Sequence, residues 1–147
     1  MSNVTNLSAF LKKNAAPAET VKFAPSPRFT NPETKKPAEW ELRPISSEQD
    51  EKLRNSCMKN VPIPGKKNAY IPQLDTNAYL AKLAASCTVF PPLDDAGLQD
   101  DYGVMGDTAL LKALLCLPGE YSNYIAKIQE ICGFDTDFSD LVDTAKN

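Results

Sequence analysis

Histidine is absent from this 147-residue chain. That removes the side chain most often used for proton transfer near neutral pH and the commonest nitrogen ligand for metals. The four cysteines, Cys57, Cys87, Cys116 and Cys132, are widely spaced and form no CxxC pair. With no histidine to complete a set they do not read as a metal site, and we expect buried, reduced thiols on apolar helix faces. A serine hydrolase elbow is also missing, and Gly65-Lys66-Lys67 lacks both the upstream glycine and the following Ser or Thr of a phosphate loop. No catalytic, cofactor-binding or metal-ligating residue is nominated, and the expectation is a protein that is not an enzyme.

Long apolar runs are lacking too. None approaches the roughly 20 residues of a membrane-spanning helix, and MSNVTNLSAFLKKN has no signal-peptide hydrophobic region. We therefore expect no membrane partner and a cytoplasmic location. The lysine pairs at 12–13, 35–36 and 66–67 fall in three separate segments of a chain whose pI is about 5.0. They form no basic stripe with interleaved aromatics, which argues against a nucleic-acid-binding module. Residues 1–67 carry 12 Lys and Arg against 7 Asp and Glu, and residues 68–147 carry 4 against 12. The halves are thus +5 and −8, and each can attract the other or a different partner.

What is present is strongly patterned. The length suits one domain that buries roughly 70% of the surface of its unfolded chain. Three parts are expected: an N-terminal arm with a short helix at 1–18, a β-hairpin at 19–45 and a helical body at 46–147. In the arm, Leu7, Phe10 and Leu11 share a helical face, read as docked on the domain or held for a partner. In the hairpin, Val21 and Phe23, then Trp40 and Leu42, alternate with polar residues around a turn at 31–37, and two strands alone must pack against helices.

The body opens with a capping-box pattern at Ser46 and Ser47, with Gln49 and Asp50 three residues on, for a helix expected to reach Asn60. The proline-rich stretch VPIPGKKNAYIPQL reads as a long connection. From Asp75 a helix presents Tyr79, Leu83, Cys87 and Phe90, and Pro91-Pro92 stop it near Phe90. Asp94 is expected to cap a short helix, with Leu93 and Leu98 as a hydrophobic staple and Gly103 closing it. On that basis Leu98→Asp is expected to unfold the domain. Asp94, Asp95, Asp100 and Asp101 lack the spacing of a calcium loop and read as caps and solvated charge.

Further helices start at Asp107 or Gly106 and at Pro118. A last one carries Phe138, Leu141, Val142 and Ala145 on one face. The expected fold is α+β, mainly α: a compact helical domain with an N-terminal β-hairpin packed on it.

The segments NLSAFLKKN, AEWELRPIS, LRNSCMKNVPIPGK, YLAKLAASCTVFPPLDDAGLQDDYGVMG and PGEYSNYIAKIQEICGFD occur in this order. Together, from about Leu7 to Asp135, they resemble the small tail assembly chaperones of contractile-tailed phages and phage-like particles of Gram-positive bacteria. The resemblance implies a non-catalytic, cytoplasmic factor that binds the tape measure protein, keeps it soluble, helps tail tube subunits gather around it and is absent from the finished tail. The tail tube protein is a further candidate partner, and self-association stays open. The alternative is a structural tail component or adaptor retained in the particle. The resemblance transfers no contact residues. Leu7, Phe10 and Leu11 on the first helix and Phe138, Leu141 and Val142 on the last are nominated for partner binding from their apolar faces alone.

Overall fold

The structure is a computed structural model that describes residues 7–13, 15 and 19–134. The hairpin forms as its alternation demands: β1 (Val21–Phe23) pairs antiparallel with β2 (Trp40–Leu42). Trp40 and Leu42 turn inward, 3% and 0% exposed, while Phe23 and Phe29 pack half-buried against the same core. At the far end of the hairpin, Lys35 adopts a left-handed conformation, and its amide donates to the Asn31 carbonyl.

Helix α1 (Ser47–Ser56) begins with the reciprocal bonds of a capping box between Ser46 and Gln49. It ends four residues short of the expected Asn60. The residues beyond it form β3 (Met58–Pro62), which pairs with β4 (Tyr70–Leu74) in a separate two-stranded sheet. The expected long connection is therefore mostly hairpin. Pro62 and Pro72 are tolerated because each strand of a two-stranded ribbon has one open edge. They lie opposite Tyr70 and Asn60, two register positions apart, both at pairs that exchange no hydrogen bonds, so each missing N–H falls on the open edge of its own strand.

Helix α2 (Thr76–Cys87) is the most buried of the described helices. Asp75 caps it by accepting from the Ala78 amide at 3.2 Å, and Tyr79, Ala81, Leu83, Ala84, Ala85 and Cys87 are all buried. It packs against α1 and against the two later helices α4 (Asp107–Leu114) and α5 (Pro118–Ile131).

The helix stops at Cys87, not Phe90. The β-branched residues of Thr88–Phe90 instead form a third strand, β5, on the free side of β2, giving the order β1-β2-β5. Pairing Thr88 with Leu42 and Phe90 with Glu41 satisfies backbone groups that a helix facing Pro91 cannot satisfy. Phe90 is consequently exposed at 56%, where a buried helical position was expected.

Helix α3 (Ala96–Tyr102) is capped by Asp95, whose carboxylate accepts from the Leu98 amide at 2.8 Å. The cap lies one residue later than Asp94, so Leu93 and Leu98 lose the staple spacing. Leu93 is the buried anchor, at 4% exposure, and Leu98 is half-buried. Gly103, at φ +66°, ends α3 with paired bonds from Gly103 to Asp100 and from Val104 to Gln99, the arrangement that a left-handed glycine permits. Gln99 ties this joint together, donating to the Leu93 carbonyl at 2.8 Å and accepting from the Gly106 amide at 3.1 Å.

Pro118 opens α5 and Gly133 closes it. The cores of α4 and α5, Leu110, Leu111, Leu114, Tyr124, Ile125 and Ile128, join Trp40, Leu42 and the inner face of α2 in one apolar cluster. The protein is α+β and mainly α, with small sheets of two and three strands.

Candidate partner-docking surface

Among the exposed apolar side chains, Val89, Phe90 and Tyr102 line clefts where elements meet. Strand β5 separates two clefts. On one side a cleft of about 200 Å3 is lined by Phe29, Trp40, Phe90, Pro91, Leu98, Tyr102 and Leu114, with Glu39 its one charged residue. Trp40 is buried, whereas Phe90 and Tyr102 are 56% and 38% exposed. On the other side a wider cleft of about 790 Å3 is lined by Val89 together with Lys12, Arg43, Pro44, Ile45, Ser46, Gln49 and Ser86. Period-two alternation places Val89 and Phe90 of one strand in different clefts.

Two groups of polar contacts hold this surface, and a third ties α1 to α2. Arg28 donates to Glu120 Oε1 at 2.8 Å and to the Leu114 carbonyl at 2.7 Å, and its guanidinium lies 5.1 Å from the Phe29 ring centroid. The Ser26 hydroxyl, itself buried, donates to the other Glu120 oxygen. Hydrogen bonds from Arg28 and then Ser26 hold the Glu120 carboxyl below its ordinary pKa, against a smaller opposing effect of burial. This clamp sets the loop carrying Phe29 against the start of α5.

The Tyr124 hydroxyl meets Thr88 Oγ1, which also donates to the Ala84 carbonyl at 2.7 Å, so the start of β5 is pinned from beneath. On the opposite side of α2, Asp50 accepts from the Tyr79 hydroxyl and from Arg54 at 2.9 Å. Burial, then the hydrogen bond to Asp50, raises the Tyr79 pKa, so the phenol stays protonated and serves as a tie between α1 and α2.

Leu7 and Phe10 lie in a 3-10 turn, Leu7–Phe10, and Leu11 directly follows it. They are 77%, 73% and 47% exposed, so the turn is not docked through them. Lys12, which follows, lines the wider cleft. Phe138, Leu141 and Val142 lie outside the described residues.

Phe90 is not among the expected contact residues because the spacing places it at the end of a buried helix face, and Tyr102 has no role in the sequence reading. The β-branched, aromatic run Thr88-Val89-Phe90 directly before two prolines was the available signal for a strand. The cysteines also differ from expectation: Cys57 and Cys87 are buried, but Cys132 is half-buried and Cys116, between two helices, is exposed. Of the four aspartates read as caps and surface charge, Asp95 caps α3 and all four are exposed.

Comparison with known proteins bears on the chain as a whole. The chain is 31% identical to the "Phage-like element PBSX protein XkdN" of Bacillus subtilis strain 168 over 147 residues, covering 99% of this chain and 96% of that protein. It is 32% identical to the "Uncharacterized protein YqbN" of the same organism over 146 residues, covering 98% and 95%. The crystal structure of YqbN superposes with a TM-score of 0.74 at 26% identity, covering 90% of this chain and all of that one. The family described as "Phage XkdN-like tail assembly chaperone protein, TAC" matches residues 7–146. With a match over nearly its whole length, this chain belongs to the XkdN-like phage tail assembly chaperone family.

Proposed function

We propose that this chain acts, as a single non-catalytic domain spanning 1–147, to bind the tape measure protein of a contractile tail. It keeps that protein soluble in the bacterial host cytoplasm, helps tail tube subunits gather around it, and leaves before the tail is finished. The observation that carries this reading is the set of large apolar side chains left at the surface: among the described residues Leu7, Phe10, Tyr70, Ile71, Phe90, Met105 and Leu117 are each more than half exposed. A long amphipathic client without its tube presents apolar stripes, and the cleft lined by Phe90 and Tyr102 suits the packing of such a helix face. Leu7, Phe10 and Leu11, with Phe138, Leu141 and Val142, are the proposed contact residues on the terminal segments. Many modest apolar contacts exchange readily, which suits displacement by tube subunits.

Coexpression with the neighbouring tape measure protein tests the proposal. The expected result is a copurifying complex and a larger soluble fraction of the client; no complex and no gain in solubility would remove it. Mass spectrometry of purified particles separates it from the alternative, a structural tail component or adaptor. A stoichiometric amount of this chain in mature tails would favour that alternative.

A further inference from the structure

Two cysteines 45 residues apart in the chain converge in space. Cys87 is the last residue of α2 and Cys132 the first after α5, and their Sγ atoms stand 3.5 Å apart. Neither is in a disulfide. Their surroundings differ. Cys87 is fully buried, whereas Cys132 lines a surface pocket of about 210 Å3 with Ile45, Ser46, Ser47, Asp50, Gly133 and Phe134. One thiol is thus open to a small reagent, and the other waits directly behind it.

We propose that Cys132 and Cys87 form a peroxide-responsive dithiol, in which Cys132 is the attacking residue and Cys87 the resolving one. The Cys132 thiolate attacks one oxygen of a hydroperoxide; the S–O bond forms, the O–O bond breaks, and the departing hydroxide takes a proton to become water. Cys87 sulfur then attacks the sulfenic sulfur of Cys132. The S–S bond forms, the S–O bond breaks, and the second hydroxide leaves as water with the Cys87 proton. Two thiols and one hydrogen peroxide give one disulfide and two waters.

The division of roles follows from the site. Hydrogen bonding from Cys87 and from the Ile45 backbone lowers the Cys132 pKa, against burial and the nearby Asp50 charge. The Cys87 thiol is pushed up by the same hydrogen bond and by its own burial. Closing the pair requires the sulfurs to approach to about 2.05 Å. Cys132 lies in the closing turn between α5 and Gly133, not inside a helix, so it has the freer backbone for that approach. A transient cytosolic disulfide of this kind is a redox-sensing device rather than a structural staple. It would join the end of α2, from which β5 leaves, to the end of α5, and so brace the strand between the two clefts.

The test uses the full chain with Cys116→Ser, which removes the exposed thiol. Hydrogen peroxide is added, free thiols are alkylated after denaturation, and the products are read by mass spectrometry. The expected result is one intramolecular bond joining the Cys87 and Cys132 peptides, a mass lower by about 2 Da, and full reversal by dithiothreitol. The melting temperature of the oxidised form should rise by on the order of 10 °C. Adding Cys87→Ser should leave Cys132 as a sulfenic acid trapped by dimedone, and adding Cys132→Ser should leave Cys87 reduced. The proposal fails if Cys132 accumulates as a sulfenic or higher acid while Cys87 stays free. It fails equally if neither reacts at a peroxide level that oxidises Cys116 in the unsubstituted protein.

Discussion

Trp40 and Tyr124 meet edge to face, their ring centroids 5.2 Å apart and their planes inclined at 67°. Phe23 stacks on the same tyrosine at 6.3 Å, and the tyrosine hydroxyl reaches Thr88. One side chain of α5 thereby touches all three strands of the sheet, which lie in two distant parts of the sequence. Trp40→Ala should destabilise the protein by about 3–5 kcal/mol, whereas Tyr124→Phe keeps the rings and should lose about 1 kcal/mol with its hydrogen bond to Thr88. Urea unfolding midpoints at constant slope measure both. Equal effects for the two variants would show that the aromatic contact is not what holds sheet to helix.

The Glu120 carboxyl provides a pH dependence of definite sign. Arg28 first and Ser26 second depress its pKa in the folded state. Its contribution is therefore complete above the unfolded carboxylate range, about pH 4.3, and is lost as pH falls through the lower folded value. Glu120→Gln should lower the denaturation midpoint at pH 7 and flatten its decline between about pH 5 and 3. A variant whose acid limb parallels that of the parent would contradict this assignment.

Two glycines should respond in opposite directions to alanine. At Gly103, φ +66° places any added side chain in the left-handed region, and Gly103→Ala should cost about 1 kcal/mol. At Gly119, in the first turn of α5, an added Cβ meets nothing within 4 Å. Gly119→Ala should stabilise by about 0.4–1 kcal/mol through the unfolded chain. Thermal melts of both variants decide.

Leu93 and Leu98 separate folding from binding. Leu93 is 4% exposed, so Leu93→Asp places an unpaired charge in the core and should abolish cooperative unfolding. Leu98 is half-buried and lines the smaller cleft, so Leu98→Asp should leave the far-ultraviolet circular dichroism intact while weakening client retention. The shift of the α3 cap from Asp94 to Asp95 is what moves the structural role to Leu93. A fully unfolded Leu98→Asp protein would restore the staple interpretation.

The exposed turn offers the matching surface test. Leu7→Ser, Phe10→Ser and Leu11→Ser together should change stability by no more than about 0.5 kcal/mol, because these side chains already face solvent. The same triple variant should recover less soluble tape measure protein on coexpression. Unchanged recovery would move the contact elsewhere, with Phe90 and Tyr102 the next positions to replace.

The parts of the fold legible in the residues are those set by local chemistry. The Ser46–Gln49 capping box, the Asp75 cap, Pro118 at the start of α5, and Gly103 and Gly133 at helix ends each act within about five residues. The short strands were less legible. Met58–Pro62 and Tyr70–Leu74 contain prolines that obscure their alternation, and Thr88–Phe90 continues an apolar helix face without a break. A three-residue strand has almost no intrinsic preference; it exists because a partner strand supplies its hydrogen bonds.

The residues by themselves determined the absence of histidine chemistry, the punctuation of the helices, the hairpin around Trp40 and the family to which the chain belongs. The first three depend on side-chain identity and short spacing, and the family on a resemblance carried by several segments along the chain. Tertiary structure alone decided that β5 adds to the edge of β2, that Phe90 and Val89 open into separate clefts, and that the Cys87 and Cys132 sulfurs come within 3.5 Å. Each of those outcomes joins segments tens of residues apart. Their proximity follows from how the helices pack on the sheet, which no local pattern encodes.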